Sequence, residues 1–366
     1  MTDPNPPGVR SRPRRRRAAD DRVIRVTLQD VADRAGVSLT TASRVVNEGA
    51  RKVGPTMAER VTRAVAELGY QANLPARAVA SGYTSMLGVT VRDVDDPYFS
   101  SIAAGLIEAA GAQQFLVCMS RTPGEPAERE YVSLMRAQRA RAVVLVGSRS
   151  ENIAAREALH AEVDAFVAAG GRVACVGQDL LGVDTIMPDN LGGAEALAHA
   201  LVALGHRSFA VLAGPRDLLT ARDRVAGFRA GLKTWSVDLD PNWVIEGAFT
   251  RDGGYEAMSA VLAAGSGRPD CVFAVNDVMA VGALARLRAE GVPVPADIAV
   301  AGFDDIPTLR DVYPPLTTVR LPLKRMGEMA ASLVLNEARL ARPRLIPVSG
   351  EVILRDSTRP RRGAVL

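Results

Sequence analysis

Two spacings of apolar residues divide this chain. Between residues 26 and 71 the apolar positions fall three and four apart. They are Leu28, Val31, Ala32 and Ala35, then Ala42, Val45 and Val46, then Val61, Ala64, Val65 and Leu68. That spacing puts each set on one face of a helix. Start and stop signals punctuate the three blocks. Thr27 with Asp30 three residues on has the form of a capping box, and Gly36 breaks the first helix. Ser38 caps a second helix that runs through Asn47; Gly54-Pro55, followed by Thr56 and Glu59, opens a third that ends before Gly69. Three short helices bury too little surface to be robust alone, which predicts a small module tethered to something larger.

From Met86 onward the pattern changes to short apolar runs separated by helical segments. Strands are predicted at Met86 to Val91, Phe115 to Met119, Ala142 to Val146, Arg172 to Val176, Phe209 to Ala213, Cys271 to Val275 and Ile298 to Ala301. Helices over 190–204, 220–233, 276–290 and 323–338 fall among them. Regular alternation of this kind predicts an α/β body of parallel sheets covered on both faces. The stretch is too long for one comfortable sheet, so two doubly wound parallel-sheet lobes are expected, with a ligand cleft beyond the carboxyl ends of their strands.

Composition narrows the function classes. Of 366 residues, 48% are hydrophobic and 23% charged, which is ordinary globular composition and excludes wholesale disorder. No run of apolar residues is long enough to span a membrane, and no apolar stretch follows the basic N-terminal residues as a signal peptide would require, which predicts a cytoplasmic protein. The cysteines Cys118, Cys175 and Cys271 are odd in number and far apart, as suits reduced core thiols, and the three histidines form no metal-binding spacing. No cofactor and no metal are expected. There is no GxGxxG after a strand, no Walker motif and no GxSxG elbow, so catalysis is not expected either.

The net charge of +4 is unevenly spread: residues 1 to 84 carry 15 basic and 8 acidic side chains. Such asymmetry points to a polyanionic partner for the N-terminal part. Most of the excess sits in residues 1 to 25, read as a disordered basic arm, because residues 26 to 84 hold seven basic groups against five acidic. The case for DNA binding therefore rests on pattern. Thr27 to Asn47, TLQDVADRAGVSLTTASRVVN, sets a Gly-containing turn between two short helices, the helix-turn-helix layout in which the second helix enters the major groove.

This stretch closely resembles the headpiece of the lactose/galactose repressor (LacI/GalR) family, and the resemblance continues along nearly the whole chain. It is carried by Ser43-Arg-Val-Val-Asn47 and Glu67-Leu-Gly-Tyr70 in the headpiece, and by Leu204-Gly-His-Arg207, Arg224-Val-Ala-Gly-Phe228, Asn276-Asp277, Gly302-Phe-Asp-Asp305 and Pro314-Pro-Leu-Thr-Thr318 in the body. The resemblance implies a helix-turn-helix DNA-binding domain over 26–71, a hinge helix or linker over 72–84, and a periplasmic-binding-protein-like effector-binding and dimerisation body over 85–366. It further implies a nucleoid-associated homodimer on a palindromic double-stranded DNA operator, acting as a ligand-responsive repressor. Carried over residue by residue, Leu39 and Thr40 set base preference and Arg44 contacts guanine or phosphate. Thr27, Ser38, Thr41, Ser43 and Asn47 mostly anchor the backbone. The stretch Asn73 to Ala80 resembles the family's hinge helix, with Asn73, Arg77 and Val79 meeting the minor groove. Val79 stands where the usual wedge is Leu, and Ala72 where a proline is usual; a shorter β-branched wedge unstacks the central step less.

The same resemblance implies an effector cleft lined by Asp93, Tyr98 and Phe99 from the first lobe and by Asp189, Arg224, Phe249, Asn276 and Asp304 from the second. In the stretch Arg92 to Phe99, Asp96 replaces the usual Asn before proline. The implied set, with its carboxylates, amide, guanidinium fork and stacking ring, suits a small sugar-type or nucleoside-type ligand. The bland reading is that Arg224 and Asp304 simply pair in a buried network, and that Asp305, Asn190 and Asp277 are caps or turn formers. The competing function is a two-lobed sugar-binding receptor with no gene-regulatory role. The N-terminal helices argue against it. Deleting residues 1 to 25 is expected to weaken DNA binding at all sequences and to flatten its salt dependence while leaving operator preference intact, as read by anisotropy titrations at several salt concentrations.

Overall fold

The computed structural model describes residues 26–48, 53–71, 82–111, 115–335 and 340–360, and the chain divides into two compact units, Met1–Arg77 and Ala78–Leu366. Among its described residues the first holds three helices, α1 (Leu28–Ala35), α2 (Leu39–Glu48) and α3 (Pro55–Leu68). The Thr27 capping box closes: the Thr27 N–H donates to Asp30 Oδ2 at 2.7 Å and the Asp30 N–H to Thr27 Oγ1 at 3.3 Å. Gly36 ends α1 at φ 62°, a left-handed conformation that a side chain would strain. Ser38 Oγ accepts the Thr41 N–H at 3.1 Å at the start of α2. Gly54 precedes α3 with no side-chain cap and Pro55 is its first residue, so Thr56 lies inside the helix; proline's fixed φ and missing N–H suit that first position. Val31, Ala32, Ala35, Ala42, Val61 and Ala64 form the small core.

The second unit contains two parallel sheets. The first is six-stranded in the order β11-β5-β4-β3-β1-β2, from β1 (Thr84–Val91), β2 (Leu116–Arg121), β3 (Ala140–Val146), β4 (Arg172–Val176), β5 (Asp184–Pro188) and β11 (Leu345–Val348). It is flanked by α4 (Pro97–Gly111), α5 (Glu125–Ala137), α6 (Ile153–Ala168) and α11 (Leu323–Leu335). The second sheet runs β7-β6-β8-β9, from β6 (Phe209–Leu212), β7 (Val244–Ile245), β8 (Cys271–Ala274) and β9 (Ala299–Ala301). Its helices are α7 (Asn190–Ala203), α8 (Leu219–Thr234), α9 (Arg251–Ala263) and α10 (Asp277–Ala289). All seven strands expected from sequence are present within two residues of their predicted bounds. Five strands were not anticipated: β5, β7, β10 (Thr318–Arg320), β11 and β12 (Glu351–Ile353). Each is short or mixed in polarity, and four of them pair at a sheet margin or in the small antiparallel β10-β12 ladder.

The chain passes between the lobes near residues 188–190, 320–323 and 348–351, because β5 and β11 share the first sheet while α7, β10 and β12 pack with the second lobe. Three connections, rather than one linker, restrict the lobes to a hinged motion about that side. Glycines then bring helices into backbone contact. A Cβ on Gly105 of α4 would overlap the Lys324 carbonyl oxygen of α11, and one on Gly327 of α11 would overlap the Ile102 carbonyl of α4. Neither obstacle is a side chain that could turn away. Gly105→Ala and Gly327→Ala should each lower stability by about 3 kcal/mol or more in urea titrations, at the upper end of overpacking costs, whereas Gly111→Ala, whose Cβ would meet open space, should be close to neutral.

Candidate functional site

Two surfaces carry the chemistry. On the headpiece, packing of Ala42 into the small core leaves the other side of α2 outward, with Leu39, Thr40 and Arg44 exposed and Thr41 and Ser43 partly buried. Leu39 is 46% exposed although apolar, so the first turn of α2 displays a hydrophobic side chain to solvent. Thr27 and Ser38 are exposed at the starts of α1 and α2, although both side chains already serve as caps. Flanking contacts fix the hairpin: Arg60 donates to the Gly36 carbonyl oxygen at 3.2 Å, and Arg34 pairs with Glu67 at 2.6 Å. The side chain of Asn47, and all of Asn73, Arg77 and Val79, lie outside the described residues, as does the basic arm.

In the second unit, loops at the carboxyl ends of the strands of both sheets converge on an inter-lobe cavity. Of the expected effector residues, Tyr98, Phe99, Arg224, Phe249 and Asp304 line it. Asp93, Asp189 and Asn276 do not. Asp93 accepts the Asp95 N–H at 3.2 Å and faces Arg121 at 3.9 Å. Asp189 is exposed and caps α7, taking the Gly192 N–H at 2.8 Å. Asn276 caps α10 through the Met279 N–H at 2.9 Å, which leaves its buried Nδ2 without a partner. Helix starts claim Asp189 and Asn276 because the first N–H groups of a helix have no partner inside it.

Arg224 organises the second-lobe wall. It is 2% exposed, and donates from Nε to Asn190 Oδ1 at 2.9 Å and from its terminal nitrogens to the Val275 carbonyl oxygen and to Asp304 Oδ1, both at 2.7 Å. Its guanidinium lies 3.9 Å from the Phe303 ring centre. The buried pair anticipated as the bland alternative is therefore present, and both members still border the cavity. Asn190 borders it too, beyond its expected role as a cap. Asp277 is wholly buried and takes bonds from the Ile306 N–H at 3.0 Å and Thr318 Oγ1 at 2.7 Å. Asp305 pairs with Arg320 at 2.7 Å and Arg355 at 2.6 Å, and His206 sits buried 3.4 Å from Asp270. Among the described residues no group of three potential ligands could hold a metal ion.

Sequence reasoning did not anticipate Arg92, Asp96, Ser148 or Thr220 as lining residues, nor the glycines Gly147 and Gly177. Those glycines follow β3 and β4 directly, where a small residue at a strand's carboxyl end is the available signal. At the rim the lobes touch. Ser150 and Leu218 form an antiparallel bridge, with the Leu219 N–H on the Arg149 carbonyl at 3.1 Å and the Glu151 N–H on the Asp217 carbonyl at 2.9 Å. Ser148 Oγ accepts the Thr220 N–H and Gln178 Nε2 donates to Thr220 Oγ1, each at 3.0 Å.

A bilobal α/β body with an inter-lobe cavity lined by aromatic and charged side chains, preceded by a helix-turn-helix module, defines a sensor joined to a DNA reader. Comparison with known proteins agrees. The family described as bacterial regulatory proteins, lacI family, matches residues 27–73, and the periplasmic binding protein-like domain matches 198–358. The regulator DegA of Bacillus subtilis (strain 168) is 29% identical over 344 residues, covering 92% of this chain and 99% of its own. The solved structure of the Lac repressor dimer bound to operator and the anti-inducer ONPF is 29% identical with a TM-score of 0.75, covering 91% of this chain and 99% of that one. The complex of the regulator CelR with cellobiose is 28% identical with a TM-score of 0.65, covering 91% and 100%. The chain belongs to the LacI family of bacterial transcriptional regulators.

Burial raises three carboxyl groups near the cavity: Asp96 to about 6, Asp304 to about 7 in spite of Arg224, and Asp277 to about 8. In the unfolded chain an aspartate ionises near pH 4, so between there and pH 8 the folded state holds protons the unfolded state has lost. Stability therefore falls as pH rises through that window. Asp96→Asn keeps an acceptor for the Tyr98 N–H, now at 2.9 Å, and removes one ionisation. Urea midpoints should show no gain at pH 4 and a gain of about 1–3 kcal/mol at pH 8.

Proposed function

We propose that this protein reads a palindromic operator as a homodimer, through residues 26–71, and that a small ligand in the inter-lobe cleft of residues 85–366 changes its affinity for that operator through a hinge over 72–84. The observation that carries the reading is the joining of an outward-facing recognition helix to a cleft lined by Tyr98, Phe249, Arg224 and Asp304. Relatives support each half: one solved relative is a repressor dimer on its operator, another holds cellobiose. A sugar-type or nucleoside-type effector suits two aromatic faces combined with a carboxylate and a guanidinium fork. Dimerisation gains support from Ile107 on α4 and Leu116 and Met119 on the edge strand β2, all large, apolar and exposed on adjoining elements of the first lobe. The alternative, a sugar receptor with no role at DNA, leaves the exposed Leu39 and Arg44 without a purpose.

On this reading base preference lies with Leu39 and Thr40, and Arg44 adds one guanine or phosphate contact. Exchanging Leu39 and Thr40 together should change which operator sequence is selected from a randomised palindromic library, with little change in headpiece stability. Arg44→Ala should weaken the specific complex by about 1–3 kcal/mol in gel shifts at moderate salt. Failure to find any specific complex, with or without candidate ligands, would count against a regulator, and sedimentation showing a stable monomer would count against the dimer.

A further inference from the structure

Four charged side chains border the inter-lobe cavity, and three are engaged. Arg224 and Asp304 hold each other, and Asp96 accepts the Tyr98 N–H. The fourth, Arg92, stands at the carboxyl end of β1 on the first-lobe wall, partly buried, and its guanidinium makes no hydrogen bond or ion pair among the described residues. The carboxylates near it are already occupied. Both Glu128 oxygens are taken by the buried Arg149, one of them at 2.9 Å, with Thr90 Oγ1 at 3.3 Å. Glu125 takes the Ser150 N–H at 2.6 Å and Ser150 Oγ at 3.1 Å. Burial lowers the guanidinium's pKa, and the charges of Glu128 and Glu125 offset part of that without using its donors. A half-buried fork of five N–H groups with no acceptor is complementary to a planar or tetrahedral anion.

We propose that Arg92 receives an anionic group of the effector, which makes the ligand class an acidic sugar, bearing a carboxylate or a phosphate, rather than a neutral sugar or nucleoside. The proposal rests on the reading of this cleft as the effector site. The two walls divide the work: Arg224, Asp304 and Phe249 face the hydroxyl-bearing body of the ligand from the second lobe, and Arg92 faces its charge from the first. Electrostatics keep these poles apart. The charges acting on Arg92 are Glu128, Glu125, Arg149 and Asp217, whereas Asp304 feels Arg224 and Asp96.

The test is a matched-pair binding screen on the full chain: glucose against glucuronate, gluconate and glucose 6-phosphate, galactose against galacturonate, and ribose against ribose 5-phosphate. Melting temperature gives the first reading and isothermal titration the affinity. In at least one pair the anionic member should bind roughly tenfold to hundredfold more tightly than its neutral partner, as a charge-assisted contact allows. Whether a carboxylate or a phosphate wins identifies the source of the anion. Arg92→Gln should erase the difference, and Arg92→Lys, which keeps the charge but loses the fork, should erase less of it. Should Arg92→Gln fail to fold, the lysine variant and the salt dependence of the anion's affinity carry the test. A neutral sugar that binds as well as its acid, or an anion whose affinity is indifferent to Arg92, overturns the assignment while leaving the effector cleft standing. If no compound of either kind shifts the melting temperature, the assignment and the effector reading fall together.

Discussion

The body is built around one buried cation. Arg224 lies 2% exposed between the second sheet and the cleft, and a guanidinium there is tolerable only if its donors are matched. Three elements match them: Asn190 at the first inter-lobe crossing, the carbonyl of Val275 beyond β8, and Asp304 beyond β9. Phe303 covers the planar face. The cost of burying the charge obliges the ends of α7, β8 and β9 to stay in register. Removing one partner of such a pair is typically costly, because it strands the other charge. Hence the same contact that shapes the cleft wall also fixes the second lobe.

That constraint reaches the lobe crossings through strained backbone. Asp304 has φ of 119°, outside the regions an aspartate prefers, and is held there by its N–H on the Val319 carbonyl and by the Leu321 N–H on its own carbonyl. Both partners belong to the segment that carries the chain back to the first lobe. A change at Asp304 is therefore felt at a crossing. At the opposite rim, the Ser150–Leu218 bridge and the Thr220 contacts join the lobes without a covalent connection. Hydrogen bonds of this kind are individually worth about 1 kcal/mol, so they open more readily than the covalent crossings do.

Much of the fold was legible because periodicity reports burial. Most of the seven main strands are largely apolar, since a parallel sheet covered on both faces has no polar side, and the first two headpiece helices announced themselves by caps. The margins were not legible: β7 has two residues and β5 mixes Asp184 and Thr185 with Ile186. The cleft was half legible. Tyr98, Phe99, Arg224, Phe249 and Asp304 line it as expected, but Asp189 and Asn276 spend their oxygens on helix starts, a local competition that no spacing along the chain distinguishes from ligand binding. Arg92 escaped notice because an arginine beside a strand reads as a solvated charge until the second lobe is placed across from it.

Two acids from opposite lobes border the cleft. Asp96 comes from the first lobe and Asp304 from the second, and each is driven toward its neutral form first by burial; the Asp96 charge adds to the effect on Asp304. Arg224 offsets the charge on both, and the Tyr98 N–H offsets that of Asp96. A ligand whose hydroxyls donate to these carboxylates stabilises the closed arrangement selectively, because in an open one both groups find water instead. Differential affinity of this kind is what an effector needs, since a ligand shifts an equilibrium only by as much as it prefers one state. One acid stands on each lobe wall, and Asp304 is also the strained link on the chain's path between the lobes.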